Sequence, residues 1–94
     1  MTDSLEQAIA SLEHWERRGD SIFRSLRFSS FLQAIEFMHR AAAFCEEIDH
    51  HPDWSNCYKT LDISLTTHDA GGITEKDIWL AGKLDGLSRE MAEG

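Results

Sequence analysis

Pro52, the only proline in the chain, separates two stretches whose apolar residues repeat at different intervals, and that change of period limits what the sequence can fold into. Before it, Phe31, Ile35, Met38, Ala42, Cys45 and Ile48 fall on one helical stripe that Phe37 and Phe44 widen. After it, Leu61, Ile63, Leu65 and Thr67 alternate with Asp62, Ser64, Thr66 and His68 in the two-residue period of a strand. Pro52 disfavours helical geometry in the residue before it and has no amide hydrogen, so the helix is expected to end near His51. Ser30 and Gln33 have the spacing of a capping box at its start. This is the expected core helix, and it leaves His50 and His51 at its carboxyl end.

The flanks supply the remaining elements. Leu5, Ala8 or Ile9, Leu12 and Trp15 have helical spacing, with Asp3 as cap and Glu6 as first-turn acid. Arg17-Arg18-Gly19-Asp20 reads as a turn; beyond it Ile22, Arg24, Leu26 and Phe28 alternate with Phe23, Ser25 and Arg27, and residues 14–17 are a candidate partner strand. Residues 54–67 read as β structure, and Ala70-Gly71-Gly72 as a flexible turn. Thr74 then reads as an N-cap with Asp77 as its N3 partner and Ile73 and Ile78 as a hydrophobic staple. Leu80, Ala81, Leu84, Leu87 and Met91 form the stripe of a last helix. The order β-β-α-β-β-α after a short amino-terminal helix predicts an α+β fold: a four-stranded antiparallel sheet with helices packed on one face, as one domain over residues 1–94.

At 94 residues there is room for one core, and a domain of that size is only marginally self-sufficient. A homo-oligomer, dimer or tetramer, is therefore expected, burying surface such as Trp15, Trp54 or Trp79. The net charge of −8 has the wrong sign for neutralising phosphates, so no direct nucleic-acid contact is expected. No run approaches the roughly 18 apolar residues of a membrane span, and the first residues lack the basic and apolar regions of a secretory signal, so the expected setting is cytoplasmic, with no membrane partner. Cys45 and Cys57 are not in a CxxC pair and are expected as buried free thiols. A Gly-rich phosphate loop and a nucleophile elbow are also missing from the sequence.

The chemistry-bearing residues collect in two places. One is Glu46-Glu47-Ile48-Asp49-His50-His51-Pro52-Asp53-Trp54. The other is Thr66-Thr67-His68-Asp69, followed by Gly71-Gly72-Ile73-Thr74-Glu75-Lys76-Asp77. The ordered set of an acid, His-His-Pro, Thr-His with an acid, then Gly-Ile-Thr and an Asp on the last helix resembles the signature of the pterin-4a-carbinolamine dehydratases, over about Trp15 to Leu87. The resemblance implies a four-stranded antiparallel sheet flanked by helices. It implies a hydro-lyase that dehydrates 4a-hydroxytetrahydropterin to quinonoid dihydropterin in tetrahydrobiopterin recycling. His50, His51 and His68 would be catalytic. Glu46, Asp49, Pro52, Trp54, Thr67 and Asp77 would contact the pterin or orient the histidines.

Such an elimination suits imidazole. Hydroxide is a poor leaving group and needs a proton as it departs, while a base takes the proton from N5; a side chain with an ordinary pKa near 6.5 does either job near neutrality. No metal or redox cofactor is required. His50, His51, His68 and Asp69 could in principle supply zinc ligands, but neighbouring side chains diverge and no HExxH spacing is present, so no metal is expected. Plainer readings stand beside these. Asp49, His50 and His51 could serve only to cap the helix dipole, Asp77 only to cap the last helix, and Trp54 only to pack. The alternative function is a non-catalytic pterin-binding or protein-partner module, since an animal member of the family also acts as a dimerisation cofactor for a transcription factor.

Overall fold

The alternating residues after Pro52 form the centre of a sheet. In a computed structural model that describes residues 4–93, strand β4 (Thr60–Leu65) lies between β2 (Ser21–Arg27) and β3 (Asp53–Cys57), and β1 (Glu16–Arg18) adds to the far side of β2. The order is β1-β2-β4-β3 and every pairing is antiparallel. Leu61, Ile63 and Leu65 are fully buried, and the register sets them opposite Leu26, Arg24 and Ile22 of β2. Helices α1 (Ser4–Ala10), α2 (Phe31–Glu47) and α3 (Glu75–Glu93) complete the α+β fold. Their buried residues, among them Ile9, Phe37, Cys45, Leu80 and Leu84, share one cluster with the buried strand residues.

Both hairpin turns of the sheet need left-handed backbone. Gly19 at φ 61 links β1 to β2, and Tyr58 at φ 55 links β3 to β4. The expected partner strand of residues 14–17 is displaced slightly, to Glu16–Arg18. The first helix stops at Ala10, short of Trp15, whose indole turns inward and donates from Nε1 to Oδ1 of Asp85 at 2.8 Å. Arg24, the one charged residue in the inward-facing row of β2, bonds the same carboxylate oxygen. The expected cap Asp3 lies outside the described residues.

The buried face of α2 departs in part from the stripe expected: Phe37 and Cys45 are in the core and Met38 and Phe44 pack against it, but Phe31, Ile35 and Ala42 are exposed. Ala34, Phe37, Ala41 and Cys45 are buried, whereas Phe31 is 44% and Ile35 40% exposed. Apolar residues cover most of this helix, so local spacing leaves its rotation open. The small side chains of Ala34 and Ala41 suit the face on which α3 and β4 approach. Ser30 caps the helix as expected, accepting from the Gln33 amide at 3.1 Å. Trp15 is buried, and Trp54 and Trp79 half-buried, so the open apolar surface belongs instead to Phe31, Leu32 and Ile35 on α2, with Tyr58 exposed in the β3–β4 turn.

Candidate active site

The carboxyl end of α2 fixes where His50 goes. The helix stops at Glu47, before the proline can act, because Asp49 takes a left-handed conformation at φ 51. The amide of His50 then bonds the carbonyl of Cys45 at 2.9 Å, and that of Asp49 bonds Glu46 at 3.2 Å. This paired closure of the last turn folds the chain back over the helix end and carries His50 inward, where it is 8% exposed. Asp49 thus contributes backbone geometry. Asp49→Gly is expected to keep or raise thermal stability, whereas Asp49→Ile, β-branched in a left-handed position, is expected to lose about 1–2 kcal/mol in urea unfolding.

His50 meets Asp77, the fully buried carboxylate on the first turn of α3, with Nε2 2.6 Å from Oδ1. The other oxygen, Oδ2, accepts from the Thr67 hydroxyl at 2.8 Å and from the Thr74 amide at 2.9 Å. The Thr74 contact is the reciprocal half of the capping box expected from the sequence, so Asp77 caps its own helix and holds an imidazole at once. With the carboxylate ionised, Oδ1 accepts as Oδ2 does, and Nε2 of His50 is then the nitrogen that donates to it.

His51 lies outside this buried pair. Its Nε2 sits 2.9 Å from Oε2 of Glu46, and both side chains are more than half exposed. His68 does not extend β4, which ends at Leu65. A reciprocal bridge between Thr67 and Gly72 instead closes a single 3-10 turn, His68–Ala70, that carries the histidine. Its Nε2 stands 3.8 Å from Oδ2 of Asp53, with both side chains over two-thirds exposed. The motif spacing gives Asp53 no role of its own, although it adjoins Pro52; nothing local says which histidine it faces.

The three histidines therefore each meet an acid, and all three pairs include a residue of the segment 46–53. His68 also lines a hollow of about 250 Å³ with Asp20, Ser21, Thr66, Gly71 and Gly72; neither His50 nor His51 belongs to its walls. Thr67 and Thr74 line another, of about 410 Å³, with Leu5, Ile73, Glu75 and Lys76. Trp54 is half-buried on edge strand β3, in register with Ile63, and Pro52 is half-buried beside it. Among the described residues, no group of three His, Cys, Asp or Glu side chains is arranged to hold a metal ion.

The cysteines differ from each other. Burial pushes the Cys45 thiol above its ordinary value of 9.0, while Cys57, on the outward face of β3, is exposed rather than buried as expected. One equivalent of alkylating reagent is expected to enter the native protein at Cys57, with Cys45 reacting only on unfolding, as peptide mass mapping would show.

In this small α+β domain the carboxyl end of α2 and the first turn of α3 bring a buried imidazole and carboxylate together, and two more exposed histidines each face an acid of their own. The chain belongs to the pterin-4a-carbinolamine dehydratase family: the family profile described as Pterin 4 alpha carbinolamine dehydratase matches residues 1–87. A protein of Mesorhizobium japonicum, provisionally named a pterin-4-alpha-carbinolamine dehydratase, is 51% identical over 85 residues, covering 88% of this chain and 87% of its own. One of Rhodopseudomonas palustris with the same provisional name is 47% identical over 88 residues, covering 92% and 87%. Among solved structures, a "transcriptional coactivator/pterin dehydratase" from Brucella melitensis superposes with a TM-score of 0.86 at 37% identity, over 94% of this chain and 97% of that one. A pterin dehydratase-like protein identified as a RuBisCO assembly factor in the alpha-carboxysome shares the fold, with a TM-score of 0.64 at 24% identity over 79% of this chain and 86% of its own.

Proposed function

We propose that this chain dehydrates a 4a-hydroxytetrahydropterin by imidazole acid–base catalysis, in the recycling of tetrahydrobiopterin. The observation that carries the reading is the His50–Asp77 contact of 2.6 Å, made in the interior by the first histidine of the His-His-Pro motif. Burying a carboxylate and an imidazole is costly unless both are well partnered, and such pairs recur where a proton must be held at a chosen atom.

In the proposed step the C4a–O bond breaks as an imidazolium gives its proton to the departing oxygen. A neutral imidazole takes the proton from N5, and the N5–H electron pair forms the C4a=N5 double bond. Water and quinonoid dihydropterin leave, and the proton count on the enzyme is unchanged. His50, His51 and His68 are the proposed proton-transfer groups, with Glu46 and Asp77 orienting His51 and His50, and Pro52 and Trp54 beside the ring. A cytoplasmic setting fits the free thiols and belongs to the same proposal.

Stopped-flow absorbance on chemically generated 4a-hydroxytetrahydropterin tests this. Dehydration well above the spontaneous rate is expected, and a ratio of one would overturn it. A second reading, a module that grips another protein, is favoured by one observation: Phe31, Leu32 and Ile35 stand exposed on α2, Leu32 at 76%. A scaffold would keep its partner when His50 and His51 are both replaced by glutamine, whereas an enzyme would lose turnover. The same apolar row is proposed to drive self-association. Light scattering is expected to give a multiple of 10.7 kDa, and Leu32→Glu to lower it.

A further inference from the structure

The hydrogen bonds around Asp77 have a single consistent direction. Oγ1 of Thr67 lies 2.8 Å from Oδ2 of Asp77 and 2.7 Å from Oγ1 of Thr74. Thr67 has one hydroxyl proton, and the carboxylate can only accept, so that proton goes to Asp77. Thr74 must then donate its own proton to Thr67, and its oxygen is left to accept from the Lys76 amide at 3.3 Å. The chain runs from Thr74 through Thr67 to Asp77 and, at the other carboxylate oxygen, meets Nε2 of His50. Hydrogen bonds linked head to tail in this way reinforce one another.

Thr67 is itself held. Its amide donates to the Gly72 carbonyl at 2.9 Å, and its carbonyl accepts from Gly72 at 3.3 Å and from Ala70 at 3.0 Å. Backbone bonds on both sides therefore hold in place the residue whose hydroxyl reaches Asp77. The next residue is His68.

We infer that Thr67 is a positioning residue: its hydroxyl holds the Asp77 carboxylate so that Oδ1 fixes the proton of His50 on Nε2, and its backbone ties that pair to the turn carrying His68. This rests on the dehydratase reading for its kinetic consequence, not for its geometry. Nδ1 of His50 is left as the nitrogen that exchanges a proton with substrate, and Thr67 links the two histidine-bearing segments through Asp77.

The test uses the full chain with ¹⁵N-labelled histidine, reading which ring nitrogen of His50 is protonated and whether its strongly hydrogen-bonded N–H gives a separate downfield proton signal. Wild type is expected to show that signal on Nε2. Thr67→Val, which keeps shape and loses the donor, is expected to broaden it or move it upfield and to lower kcat about tenfold with KM little changed. Thr67→Ser is expected to restore both. If Thr67→Val does not fold, Thr74→Val removes the hydroxyl that orients Thr67 and is read by the same signal. A wild-type proton on Nδ1, or a signal unmoved in the valine variant, would overturn the inference. If wild type proves to have no dehydratase activity, the proposed function fails, and the ring-nitrogen measurement still decides the role of Thr67.

Discussion

Replacing Asp77 by asparagine is expected to cut dehydratase turnover by about 10³-fold while leaving the fold and KM close to wild type. The two groups that bond Oδ2, the Thr67 hydroxyl and the Thr74 amide, are both donors and will select the amide oxygen of the new side chain. Its NH₂ group must then face His50 where a carboxylate oxygen stood. Two donors cannot share that contact, so the imidazole answers by moving its proton to Nδ1 and accepting at Nε2. The lone pair that should meet the substrate is then turned into the protein. Shape is nearly conserved, so a purely structural Asp77 would cost stability and leave turnover per folded molecule alone. Turnover normalised to the folded fraction from circular dichroism separates the two outcomes.

The largest effect on stability is expected from Phe37→Ala. Phe37 is wholly buried on α2, its ring 5.2 Å from that of Phe28. Truncating a buried phenylalanine typically costs about 3–5 kcal/mol, the lost transfer of the ring plus the cavity left behind. A domain of this size has only about 5–15 kcal/mol in total and loses roughly 4–8 °C of Tm per kcal/mol, so a fall on the order of 15 °C or more is expected. Ile35→Ala, on the exposed side of the same helix, is expected to cost far less in the isolated chain. Urea midpoints measured at one low concentration check both, and similar losses at the two positions would contradict the rotation of α2 described above.

That rotation marks where local reading of the sequence stops. The sheet was legible because Leu61, Ile63 and Leu65 alternate without interruption, and a one-residue slip would expose all three. The buried stripe of α3 was legible too: Leu80, Ala81, Leu84 and Leu87 are buried as the spacing predicts, and Thr74 and Asp77 cap it. The face of α2 was legible only in part, Phe37 and Cys45 but not Phe31 or Ile35, because apolar residues nearly encircle it and contact with α3 and β4 chooses among them. The helix also ended earlier than Pro52 demanded, through a left-handed Asp49, a conformation that aspartate tolerates but does not announce.

The candidate site divides in the same way. The His-His-Pro and Thr-His segments carry the family resemblance, and Asp77 reads both as a cap from its spacing and, by the resemblance, as a partner of the histidines or the pterin. Which acid each histidine meets depends on separations that local pattern does not reach: His50 and Asp77 are 27 residues apart. The pairing of His68 with Asp53 and the joint grip of Trp15 and Arg24 on Asp85 are long-range in the same sense.

The claim beneath the proposed chemistry is that imidazoles from two segments serve one ligand, and titrating the protein with a stable, unreactive pterin while following the ring signals of its histidines tests it most directly. The signals of His50, His51 and His68 are expected to move together along one saturation curve, with those of His14 and His39, both on the exposed surface, unmoved. Saturation that moves His68 alone, or leaves all three in place, would contradict a shared site.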